Sequence, residues 1–154
     1  MKKVVLFASV LLLAASCHTA PLPASTTGYD YSHKVLVGNQ TLLVEIADTD
    51  KKMEQGLSGR ESLSDGQGMM FDFRKNSSVA PDFWMKDMKF GLDLIWIKSG
   101  TIIGITEQVP APLAGTANEN LPIYSSPSPA DEVLEVNSGW SKVHHIKTGD
   151  SVTW

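Results

Sequence analysis

Paired cysteines, long apolar runs and an excess of basic charge are all missing from this sequence, and each absence closes off a class of protein. A single cysteine, Cys17, leaves no internal disulfide, so stability has to come from packing. The apolar stretch near the start, Val4 to Leu13, is too short to span a bilayer as a helix. Lys and Arg number 13 against 17 Asp and Glu, a formal charge of -4. With no basic stripe to neutralise phosphates and no run of cations to hold an anionic membrane surface, nucleic acid is not an expected partner. There is no G-x-S-x-G elbow, no second cysteine and no serine with a recognisable base and orienting partner. Gly56, Gly59, Gly66 and Gly68 do not open a helix and lack the lysine of a phosphate loop. His144 and His145 are adjacent, point apart on either a helix or a strand, and make poor joint ligands for zinc.

What is present begins with an address. Lys2-Lys3, the apolar run Val4 to Leu13 and the small residues Ala14-Ala15-Ser16 before Cys17 look like a bacterial lipoprotein signal. Residues 1–16 are then a signal peptide, and Cys17 becomes the site of a thioether-linked lipid. The alternative is an ordinary secreted protein cut after Ala20, which would place Pro21 directly after the cut, a poor position for its ring and missing N–H. Each buried methylene adds about 0.8 kcal/mol of membrane affinity, so two or three acyl chains give lasting attachment where one does not. The location expected is the cell envelope. His18 after Cys17, rather than Asp, favours the periplasmic face of the outer membrane in a cell with two membranes. Removal of Lys2 and Lys3 lowers Lys plus Arg from 13 to 11 against 17 acids, a formal charge of -6. Ligands should therefore be neutral, cationic or apolar.

Residues 17–28 include His18 to Gly28, rich in Pro, Thr, Ser and Ala, and read as a flexible tether. Residues 29–154 are of a size for one domain. Short apolar or alternating runs broken by Gly, Pro, Asn and Asp predict mainly β structure of an α+β kind. One hairpin is expected where His33 to Val37 meets Thr41 to Ala47 across Gly38-Asn39, and another where Asp93 to Ile97 meets Thr101 to Thr106 across Lys98-Ser99-Gly100. Further strands are expected at Gly68 to Phe73, Asp82 to Met85, Val133 to Val136 and Asp150 to Thr153. Thr49 is a good N-cap, Asp50 suits the first turn, and the helix should stop near Gly56. A second helical turn is expected near Ser138 to His144. Pro110 to Pro129 carries little periodicity and reads as a long surface loop.

Several segments, in series, resemble a known family. Gly56-Leu57-Ser58-Gly59-Arg60, Gly68-Met69-Met70-Phe71, Phe83-Trp84-Met85-Lys86-Asp87-Met88, Leu92-Asp93, Ser126 to Ala130 with Val133-Leu134-Glu135, and Gly149-Asp150 fall in the order of domain of unknown function 192. The resemblance spans nearly all of Tyr31 to Val152. It implies a compact, barrel-like antiparallel sheet with one short helix, often behind an export signal, and it implies no established activity. The family usually has Met and a large or aromatic residue where this chain has Ser58 and Gly59, and Asn-Thr where it has Asp87-Met88.

On an extended strand, Trp84, Lys86 and Met88 would share a face opposite Phe83, Met85 and Asp87. An indole beside an ammonium suits an apolar or ring-shaped ligand with an anionic or hydroxyl group; core packing of Trp84 and Met85 is the plainer reading. The Arg60 fork would bind a carboxylate, from a ligand or from Asp87, Asp93 or Glu135 as a structural ion pair. Asp93 and Glu135 interrupt apolar runs; they either point outward on half-buried strands or, if they share a cleft, form a general acid and base pair for glycoside or amide hydrolysis. Met69, Met70, Met85 and Met88 offer thioethers for Cu(I), although core packing accounts for most methionines. The reading that follows is a lipid-anchored domain binding a small envelope ligand through Arg60, Trp84, Lys86, Asp87, Asp93 and Glu135, without catalysis or cofactor. An envelope hydrolase or lyase using Asp93 and Glu135, a protein-interaction module built on the Pro110 to Pro129 loop, and a Cu(I) carrier are the alternatives.

Overall fold

Gly38 at φ 57 turns the chain between His33–Val37 (β1) and Gln40–Ala47 (β2), the first predicted hairpin. The computed structural model describes residues 28–74 and 82–154; the expected signal peptide, Cys17 and all of the expected 17–28 tether but its last residue lie outside the described residues. Val35 and Val37 point inward while Lys34 and Leu36 face out, as period-two alternation requires. Thr49 caps Asp50–Gln55 (α1), its Oγ1 accepting from the Lys52 N–H at 3.4 Å. Gly56 ends the helix with φ 49, its N–H donating to the Lys52 carbonyl at 2.8 Å.

Gln67–Asp72 (β3) then pairs with β2 in parallel, which corrects the expectation of a wholly antiparallel sheet. The reason is the crossover: α1 and the residues after it carry the chain back along the sheet, so β3 starts at the same end as β2. Leu92–Lys98 (β4) and Thr101–Val109 (β5) form the second predicted hairpin, turning on Ser99 (φ 49) and Gly100 (φ 71). Glu132–Asn137 (β6) lies antiparallel between β4 and β3. Val152–Thr153 (β7) completes a seven-stranded sheet of order β5-β4-β6-β3-β2-β1-β7.

The sheet curls until its edges meet at one end. β7 pairs with β1, while Ser151 bridges Thr101 and the Ile102 N–H donates to the Asp150 carbonyl at 2.9 Å. The barrel interior is filled by Val35, Leu42, Met70, Ile95, Leu134 and Trp140, among others. A second cluster, with Leu57, Met69, Phe71, Leu94, Trp96 and Val133, sits on the outer face. It is covered by residues 57–63 and 82–90.

Two of the remaining expectations change. Asp82 to Met85 is no strand; Phe83 alone bridges Tyr124, with both N–H to O distances at 2.8 Å, before a turn closes from the Met88 N–H to the Met85 carbonyl at 3.2 Å. The second helical turn expected near Ser138 to His144 is present as Trp140–Val143 (α2), whose first N–H groups are met by the Asp93 carboxylate. The Pro110 to Pro129 segment does lack strands, but it holds a 3-10 turn at Asn118–Asn120 and is pinned at Tyr124 and by buried Leu121. No helix among the described residues is long and apolar enough to cross a membrane.

Candidate functional site

Cross-strand pairing sets Met69, Glu135 and Leu94 in one row on the outer face, and Glu45 of β2 extends it beyond Met69. A carboxylate in such a row has to find a partner or give up its charge. Arg60, delivered by the turn after α1, supplies one guanidinium, and that group is already committed. Its Nη2 donates to Glu45 Oε2 and its Nη1 to the Tyr31 hydroxyl, each at 2.8 Å, and the Tyr29 ring lies 3.7 Å from its central carbon. Glu135 is left with the field of Arg60 but none of its hydrogen bonds. Burial pushes the Glu135 carboxyl up to about 8, against a smaller downward pull from Arg60. Its Oε2 is buried and makes no hydrogen bond with the protein.

A cleft opens above this carboxyl. Its walls are Met53 to Gln55 at the C-terminal end of α1 with Gly56 to Ser58 after it, Phe71 on β3 with Phe73 just beyond its end, and Asp82, Phe83, Trp84 and Met88 of the covering strap; Glu135 lines its floor. The cavity holds about 90 Å³, small beside the roughly 300–1,000 Å³ of pockets that enclose whole drug-sized ligands. It suits one end of a ligand. Trp84 stands at the rim, 49% exposed. The lining carboxylates are Glu54, Asp82 and Glu135, and no Lys or Arg is among the described lining residues. The strap is tied to the α1 exit by Ser58 Oγ, which donates to the Lys86 carbonyl at 2.8 Å, and by the Gly59 N–H, which donates to the Asp87 carbonyl at 2.9 Å. The two places where this chain departs from the family pattern thus meet in space.

Of the residues singled out from sequence as chemistry-bearing, Trp84, Met88 and Glu135 come together in the cleft, and Arg60, Lys86, Asp87 and Asp93 do not. Arg60 is a buried structural partner of Glu45 and does not line the cleft. Lys86 has its Nζ 5.9 Å from the Trp84 ring centroid, but neither it nor Asp87 lines the cleft. Asp87 is exposed at a turn position with φ 55. The shared face expected for Trp84, Lys86 and Met88 is lost with the strand: Met85 and Met88 are both buried.

Asp93 is fully buried on the opposite face of the sheet from Glu135, because it pairs with Val136 whereas Glu135 pairs with Leu94. Its oxygens accept from the N–H groups of Gln108, Gly139 and Ser141 at 2.8, 2.9 and 2.9 Å. The acid and base pair of Asp93 with Glu135 is therefore not assembled. Of the four methionines, Met70 packs inside the barrel, and Met69, Met85 and Met88 in the outer cluster. Among the described residues no group of three or more His, Cys, Asp or Glu is placed to hold a metal ion. Phe71, Phe73, Phe83 and Asp82 escaped sequence reasoning as a site, although Phe71 and Phe73 two apart on a strand do announce one aromatic face.

Residues 33–154 match the family model DUF192, described as an uncharacterized ACR. No curated protein matches the chain. A crystal structure of a protein of unknown function from Novosphingobium aromaticivorans is similar at a TM-score of 0.71 and 26% identity, over 93% of this chain and 99% of that one. A second, from Sinorhizobium meliloti, of a protein proposed to be a transcription regulator, is similar at 0.65 and 32%, over 78% of this chain and 89% of that one.

Proposed function

We propose, from the premise that this chain belongs to the DUF192 family, that its domain is a binding module whose cleft receives one end of a small envelope ligand. The observation that carries this is Glu135: a buried carboxyl with an unpartnered oxygen, lining an open, aromatic-walled cleft. Proteins rarely leave such an atom unpaired, because an unmade buried hydrogen bond costs about 1–3 kcal/mol. A ligand group that meets it recovers that cost. The sequence before the domain completes the reading: a lipid on Cys17 and a tether up to residue 28 would hold the cleft at the cell envelope, on the periplasmic side of the outer membrane where there are two membranes. Nucleic acid has no place in it, since the formal charge is -4.

Ligand-observed NMR with a library of small ring-containing fragments tests the cleft. Hits displaced in Trp84→Ala protein of unchanged fold are expected. A library that yields no fragment sensitive to Trp84 or Glu135 would remove the cleft from consideration. For the address, Cys17→Ser protein should leave the membrane fraction; equal retention would reject lipidation at that residue.

A catalytic second reading has one supporting observation, the raised pKa of Glu135 in a cleft, which fits a general acid. It has to do without Asp93. Hydrolysis of envelope glycosides or peptides by purified protein, lost in Glu135→Gln, would establish it over simple binding.

A further inference from the structure

We infer that the group seated over Glu135 is a protonated amine, an alkylammonium carried on a flat or apolar body. This rests on the cleft being a binding site and specifies what it takes. The free acceptor is Glu135 Oε2, buried and without a hydrogen-bond donor; an ammonium offers up to three N–H donors, and an N–H to carboxylate bond is among the stronger hydrogen bonds available. The charge around it agrees. Glu54 and Asp82 join Glu135 in lining the cleft, and no Lys or Arg is among the described lining residues. Arg60 is the cation nearest in effect, and Glu45 neutralises it through a 2.8 Å ion pair. An anionic ligand would meet these carboxylates without compensation.

The walls suit the same class. Phe71, Phe83 and Trp84 line the cleft, and aromatic ring faces attract cations. A volume of about 90 Å³, small beside pockets that enclose whole ligands, suits an ammonium and its first carbons. The remainder of the ligand then lies outward, along the half-exposed indole of Trp84. Binding transfers no atoms except a proton: the amine arrives as its ammonium, and the Glu135 carboxylic acid releases its proton to solvent as the ion pair forms.

Isothermal titration of the full chain with benzylammonium, benzyl alcohol and benzoate, three ligands of one shape, tests the class. Benzylammonium should bind at least about tenfold more tightly than benzyl alcohol, as a charge-assisted bond predicts, and benzoate more weakly than either. Its apparent heat should change between buffers of different ionisation enthalpy at neutral pH, reporting the released proton. Glu135→Gln should cost the amine about tenfold and leave benzyl alcohol within about twofold. If that variant fails to fold, the three-ligand ranking and the buffer dependence on the parent chain still decide the matter. Equal or tighter binding of the alcohol would overturn the amine while keeping the cleft as a binding site. No binding by any of the three would overturn both. An N-acetyl-lysine amide run alongside separates two sources of the same chemistry: tighter binding than benzylammonium points to a lysine-type side chain, weaker to a free small amine.

Discussion

Asp93 and Glu135 sit one residue out of register on neighbouring strands, Asp93 opposite Val136 and Glu135 opposite Leu94, and so look out from opposite faces of one sheet. The same residue type therefore serves two ends. Asp93 is saturated with backbone N–H groups and fastens α2 and the end of β5 to the barrel. Glu135 keeps an unused oxygen beneath an open cleft.

Asp93→Ala leaves three backbone N–H groups without their acceptor, and a loss of about 3 kcal/mol in unfolding free energy is expected. Urea unfolding measures it. The variant should keep whatever the cleft binds, provided it is assayed below its shifted midpoint; loss of binding by a folded Asp93→Ala protein would reunite the two carboxylates functionally.

Glu135 should make stability depend on pH in an unusual sense for a carboxylate. Its native value of about 8 lies above the ordinary 4.5, so the native state holds a proton that the unfolded chain gives up. The contribution is full below about 4.5 and lost as pH rises through about 8, with a slope of at most about 1.4 kcal/mol per pH unit. Glu132, raised by burial against the opposing charge of Arg74, acts in the same direction. Melting temperature measured from about pH 5 to pH 9 should fall more steeply in the parent than in Glu135→Gln, whose amide cannot ionise. Parallel curves would mean that the Glu135 carboxyl titrates normally.

Arg60→Lys removes the planar fork that joins Glu45 to Tyr31. With Arg60 5% and Glu45 15% exposed, the substitution should cost about 2–4 kcal/mol, since a point charge cannot replace a two-armed donor in a buried pair. Glu45→Gln combined with Arg60→Lys should be no worse than Arg60→Lys alone. Full additivity in a double-mutant cycle would show the two side chains to be independent.

Gly68 of β3 lies beneath the site. A Cβ there would come 2.8 Å from the Glu135 carbonyl oxygen, a backbone atom that cannot swing aside. Gly68→Ala should cost about 1–3 kcal/mol by overpacking, read from thermal unfolding. It should also weaken binding over Glu135 by displacing β6.

Much of this fold was written locally. Gly38-Asn39, Ser99-Gly100, Thr49 and Gly56 each act within a few residues of themselves, and the two hairpins and α1 stand where those residues predict. The curled β-rich sheet and the family membership followed from the same segments in series. What local signals could not carry was parity across connections. The parallel pairing of β2 with β3 depends on how a long crossover returns, and the facing of Asp93 against Glu135 depends on a register between strands more than thirty residues apart. Arg60 was legible as a carboxylate partner, but Glu45, the partner it takes, lies fifteen residues before it in a different element. The Phe83 to Met88 segment misled because its alternation resembles a strand, while a turn at Lys86-Asp87 folds it back.

The closure of the barrel by residues 149–153 sets the order in which the domain can be finished. β1 and β2 can zip as soon as they exist, and so can β4 with β5, but the two edges have nothing to join them until β7 has been made, more than a hundred residues after β1. Such distant pairing is slow, since loop entropy is spent before the contact repays it. Until that moment β1 offers an open edge to other strands. A chain growing from its amino terminus therefore carries an unpaired strand edge from the first hairpin to the final strand, and a delay in supplying residues 149–153 lengthens that exposure.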